Sequence, residues 1–136
     1  MINTDARVQA FLDSIQAAVT ASALADKEYI TVTADGRDVE KAFQRSAGAI
    51  VVYTLPAIEW PAPRTTRLTW TFGVVALIDG GLRPNAKRVT ELLSVLTEGA
   101  GLLKFGDAAT PTDFKTTDPN TTIPGYSIRH TEEHYS

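Results

Sequence analysis

The chain has 136 residues, 43% of them hydrophobic and 21% charged, which fits one soluble globular domain with a single core. With no cysteine it excludes disulfides, zinc–thiolate centres and thiol nucleophiles. A net charge of −3 without a basic block argues against nucleic-acid binding driven by phosphate neutralisation.

The first five residues lead straight into an amphipathic pattern, with no basic-then-apolar leader. No apolar run approaches the roughly 20 residues of a membrane span. The expectation is a protein used in the cytoplasm, or in an assembly built there, with no membrane partner. From Asp5 to about Ala25 the spacing predicts a helix, because Val8, Phe11, Leu12, Ile15, Ala18, Val19 and Ser22 recur at i, i+3, i+4 and i+7. Arg7, Gln9, Asp13 and Gln16 face the other way, and Thr4 or Asp5 is placed to cap the start. That polar face lacks the Lys/Arg richness of an interfacial helix, so the helix is expected to cover a sheet. Residues 29–33 alternate as a short or edge strand, Asp35-Gly36-Arg37-Asp38 reads as a turn, and 39–45 fits either a helical turn or an irregular excursion.

Two β-branched runs, 49–55 and 68–78, dominate the middle. In the second, Leu68, Trp70, Phe72, Val74, Ala76 and Ile78 share one face, and Thr69, Thr71, Gly73, Val75 and Leu77 share the other. Between the runs, the two prolines of Glu59-Trp60-Pro61-Ala62-Pro63-Arg64 are expected to keep that segment out of a ladder. The runs then form an antiparallel pair with a wide connection. Asp79-Gly80-Gly81 breaks the strand, and Pro84-Asn85 opens a second helix to about Glu98. Its apolar stripe is Val89, Leu92, Leu93 and Leu96, its wet side Lys87, Arg88, Glu91 and Glu98, and Gly99-Ala100-Gly101 ends it. Residues 102–105 are expected to pack back, 112–116 to form a weak strand, Asp118-Pro119-Asn120 a turn, and 126–134 a last strand. The fold class is therefore α+β, with a mostly antiparallel sheet, a long hairpin and two helices on one face, in one domain over residues 1–136.

Chemistry is sparse. His130, Glu132 and His134 would share a face of a strand, but the outer two lie about 13 Å apart along it, too far for one ion. On a helix the order is not that of a zinc protease. This strand is expected to face solvent. Gly80-Gly81 lacks the spacing of a phosphate-binding loop, the serines lack a nucleophile elbow, and no carboxylates pair as acid and base. No enzyme activity, catalytic residue, cofactor or metal is expected. Trp60, near the hairpin tip with Arg64 and Arg67 just after, is an interface candidate, because exposed aromatics beside arginine anchor interfaces.

The order of elements, and the ending Ile123-Pro124-Gly125-Tyr126-Ser127-Ile128-Arg129-His130-Thr131-Glu132-Glu133-His134, resembles tail terminator proteins of long-tailed bacteriophages. These are small α+β proteins related in fold to other tail-completion and neck proteins. The resemblance rests on the tyrosine-led final strand and on the amphipathic helix followed by a long hairpin. It implies a structural protein of the virion, a homo-oligomeric and usually hexameric ring at the tail–neck junction, which stops tail-tube polymerisation and joins the tail to the neck. Its partners would be further copies of itself, the tail tube protein, a neck or head-completion protein, and DNA sliding through the lumen without specific binding. Subunit contacts are expected at Glu59, Trp60, Arg64 and Arg67, with Arg129 in the final strand. A head-closure or neck role in the same particle is the nearest alternative. From another class, a ligand-binding or enzymatic domain would use a pocket between sheet and helices.

Overall fold

The computed structural model describes residues 3–35, 47–78, 83–101, 108–115 and 120–135. Strands β1 (Thr31–Thr33), β2 (Ala49–Val52), β3 (Ala57–Ala62), β4 (Thr65–Val75), β5 (Ala109–Lys115) and β6 (Thr122–Tyr135) form one sheet. Its order is β1-β2-β4-β6-β5, with β3 paired to β4 beside that path. β1 runs parallel to β2, and the other pairings are antiparallel. The apolar alternation expected for residues 68–78 is realised from Leu68 to Ala76, whereas Ile78, beyond the end of β4, is exposed; β4 is the hub of the sheet. Along one edge it pairs with β6 from Thr65↔Tyr135 to Val74↔Tyr126. Along the other it pairs first with β3, from Ala62↔Thr65 to Ala57↔Thr69, and then with β2, from Val52↔Phe72 to Ala49↔Val75. β2 and β3 are thus successive pieces of one side of the hairpin, parted by a bend at Thr54 and Leu55.

Two helices roof one face. α1 (Thr4–Ala21) buries Val8, Phe11, Ile15, Ala18 and Val19. α2 (Ala86–Ser94) buries Val89 and Leu92 and continues into a π turn, Val95–Gly99, that buries Val95 and Leu96. They meet Leu68, Trp70, Phe72 and Val74, the inward positions of β4. Phe11 stands edge-on to Trp70 and Phe72, with ring centroids 5.0 and 5.3 Å away. Each such fully buried side chain contributes about 1.5–3 kcal/mol before ordering entropy is subtracted. The α+β class and the placement of both helices on one face match the expectation. On the opposite face, Ala49, Val75, Leu77 and Ile123 form a second small cluster with Phe114 against it.

Several local expectations are corrected. Pro61 does not exclude its segment from the ladder; β3 contains it at a bulge, where Trp60 and Pro61 together face Thr66 between the pairs Glu59↔Arg67 and Ala62↔Thr65. A bulge on an edge strand is where a residue without an N–H is tolerated. α1 is capped by Asn3, whose side chain accepts from the Ala6 N–H at 3.1 Å, and it ends four residues earlier than the periodicity suggested. Residues 27–29 make a turn of 3₁₀ helix, leaving only Thr31–Thr33 as edge strand. Pro84 lies before the cap of α2, bridged to Leu77, and Asn85 is the cap. Arg88 is buried rather than wet. Its Nε donates to the Ala47 carbonyl at 2.9 Å, its Nη2 to the Ala25 carbonyl, and its Nη1 lies 3.4 Å from Glu91. Gly48 lies at φ +95°, and a Cβ there would sit 2.6 Å from Leu92 Cδ1, so the helix packs directly onto this backbone. The expected turns at 35–38 and 118–120, the excursion at 39–45, the break at 79–81 and the return at 102–105 fall wholly or partly outside the described residues.

Candidate functional site

Beyond Leu68 the helices no longer cover the sheet, and β3, the first residues of β4 and the end of β6 continue as a three-stranded arm. Every residue of β3 is exposed. The arm and its root carry the largest exposed apolar side chains, with Leu55 90%, Tyr135 75%, Trp60 73% and Ile58 45% exposed. The tip is a two-residue turn of Pro63 and Arg64, and Arg64 sits at φ +61°, the sign pattern of a type II turn. A side chain in the left-handed region is strained by about 1–2 kcal/mol. Arg64→Gly is therefore expected to raise stability in urea unfolding by about 0.5–1 kcal/mol, after the extra chain entropy of glycine is subtracted. A loss of stability would mean that the arginine's own contacts outweigh the backbone strain.

Across the outer side of the arm runs a ladder of charges. Glu59 and Arg67 face each other on β3 and β4 at 3.8 Å, Arg67 meets Glu133 of β6 at 2.9 Å, and the Tyr135 hydroxyl donates to Glu133 at 2.8 Å. The tyrosine hydroxyl, and then Arg67, hold the Glu133 carboxyl below its ordinary range. Exposed pairs of this kind add little to stability, but they keep the three strands in register. Four of the five expected contact residues, Glu59, Trp60, Arg64 and Arg67, thus lie together on the arm. Arg129 does not. It pairs with Thr71 in the middle of the sheet, about 13 Å along β6 from Glu133.

The arm is rooted by a cluster that sequence reasoning missed. Glu132 points to the helix side of β6, where its side chain is 11% exposed. Arg7 of α1 grips it with Nε at 2.9 and 3.0 Å from its two oxygens and with Nη2 on Oε1. Trp70 Nε1 donates to Oε2 at 3.1 Å. Arg7 also lies over the Phe11 ring, its Cζ 4.2 Å from the centroid. Burial pushes the Glu132 carboxyl up, but the Arg7 bond and charge, with the Trp70 and His134 bonds, outweigh it and bring it down to about 2.

The expectation that this end of β6 faces solvent is corrected at His130, which is 5% exposed and packs edge-on to Phe11. The register Trp70↔His130 sets it beneath α1. Both imidazoles lean on the same carboxylate, His130 Nε2 at 3.6 Å and His134 Nε2 at 3.4 Å. That carboxylate is already held by a guanidinium and an indole, so the cluster is a clasp. Among the described residues no group of three or more His, Asp or Glu is arranged to hold a metal ion. Compared with protein-family models, with curated proteins and with solved structures, the chain matches none.

Proposed function

We propose that this chain is a non-enzymatic assembly subunit whose arm grips neighbouring copies and closes them into a ring. In the role implied by the tail terminator resemblance, that ring, expected to be hexameric, caps a phage tail tube, ends its polymerisation and meets a neck protein at the tail–neck junction of the virion. DNA would pass through its lumen without specific binding. One observation carries the reading: Leu55, Ile58, Trp60 and Tyr135 stand exposed on an arm that its own helices do not cover. Exposed apolar and aromatic side chains on the same arm as arginine are the chemistry of an interface centre. An arm that contacts a different patch on its neighbour makes a heterologous contact, and a closed set of those is a ring. The head-closure role would use the same arm and differ only in the rings it meets.

The alternative with a ligand pocket between sheet and helices is less well supported, because Phe11, Trp70, Phe72 and Leu92, all 0–1% exposed, fill that layer. Light scattering across a concentration series, alone and with tail tubes, tests the proposal. The expected result is a mass at a fixed multiple of the subunit, with rings visible by electron microscopy. A monomer under every condition overturns it.

A further inference from the structure

The face of the sheet turned away from the helices holds a trough of about 590 Å³, lined chiefly by Thr69, Thr110, Thr112, Ser127, Arg129 and Thr131. Strand alternation builds it. Ser127, Arg129 and Thr131 take successive outward positions on β6, and the register sets Thr110 beside Ser127 and Thr69 beside Thr131. Arg129 therefore rises between two hydroxyl side chains about 7 Å away on its own strand, with Thr71 directly across. Among the described residues no carboxylate lines the trough. The next acid along this face of β6, Glu133, is held by Arg67 and Tyr135. Arg129 makes no ion pair among the described residues, although it is exposed.

The hydroxyls are also largely uncommitted. Thr112 donates to the Thr110 carbonyl at 3.1 Å, and the Thr69 and Thr131 hydroxyls share one bond at 3.3 Å, which leaves one of their two protons over. The Thr110 and Ser127 hydroxyls make no hydrogen bond among the described residues. The trough is thus rich in donors, with Arg129 at its centre as the one positive charge among the described residues.

We infer that it binds a phosphate group. The guanidinium fork matches two phosphate oxygens, and the cross-strand pair Thr110 and Ser127, to one side of it, offers hydroxyl donors to the others. A carboxylate engages the fork with both of its oxygens, whereas a phosphate keeps further oxygens free for the hydroxyls. The trough has more room than a bare phosphate fills, so the group arrives on a larger body, either a phosphorylated small molecule or a nucleic-acid strand. With one cation, binding is weak and falls with salt. The inference does not depend on ring formation.

Amide NMR of the full chain, titrated with inorganic phosphate against chloride at equal ionic strength, tests it. The expected result is saturable shifts at Thr69, Thr110, Ser127, Arg129 and Thr131 with phosphate alone. Arg129→Gln is expected to weaken binding at least tenfold, and Thr110→Ala with Ser127→Ala several-fold, with melting temperatures unchanged because these side chains lie on the surface. A short single-stranded DNA that binds more tightly than phosphate, and loses that binding in Arg129→Gln, assigns the phosphate to a nucleic-acid strand. DNA that binds no more tightly assigns it to a small molecule. Equal shifts with chloride, or phosphate binding indifferent to Arg129→Gln, overturn the inference.

Discussion

Glu132→Gln is expected to destabilise the fold by about 2–3 kcal/mol. Removing one partner of a fully buried, hydrogen-bonded pair costs about 3–5 kcal/mol. The lower figure follows because the Arg7 side chain is 35% exposed and regains water. At this chain length the melting temperature should fall by roughly 6–15 °C. The same variant should change the response to acid. The Glu132 carboxyl is lowered from an ordinary 4.5 to about 2 in the folded chain, so its contribution is complete above pH 4.5 and is lost as pH falls toward 2. Urea unfolding of wild type and variant between pH 7 and pH 2.5 checks both points. The two stabilities should differ at neutral pH and converge in acid. Parallel curves through that range would show that Glu132 is not the group that couples this clasp to protons.

Trp60→Ala combined with Arg64→Ala is expected to abolish assembly while leaving the subunit folded. An aromatic anchor at an interface centre is worth about 2 kcal/mol or more, a thirty-fold loss at each contact, and a ring multiplies that loss over every joint. Trp60 is 73% exposed within its own chain, so folding should change by no more than about 0.5 kcal/mol. Circular dichroism and light scattering on the same samples separate the outcomes. A folded monomer supports the arm as the gripping element. An unfolded chain would make Trp60 part of the body, and a ring of unchanged mass would move the interface elsewhere.

Much of the fold was legible because alternation and helical periodicity are local. The apolar positions of β4 name the core directly, and Phe11, Ile15 and Val19 declare the covered face of α1. The clasp was not legible, since Arg7 and Glu132 lie 125 residues apart in sequence and meet only through the register of β6 against β4. His130, Glu132 and His134 were rightly placed on one face of a strand. Nothing in that stretch says which face the helix covers, and five polar residues in a row suggested water. Arg88 misled for a related reason: a guanidinium can be buried when backbone carbonyls receive it, and those of Ala25 and Ala47 come from distant loops. Pro61 was read as a breaker, whereas the bulge absorbs its missing donor. Of the contact residues, the hairpin group followed from sequence neighbourhood. Arg129, expected as a contact from the final strand, lies on a different part of the sheet from the hairpin group.

The break between β2 and β3 has a mechanical counterpart. β6 runs beside β4 without interruption past that break, ten paired positions from Thr65 to Val74. The projecting part is therefore a cantilever clamped along one side and notched along the other. A sideways load applied at Pro63 would be delivered through β4 and β6 to Phe72 and Ile128 at the centre of the body, while the notch at Thr54 and Leu55 lets the opposite side yield first.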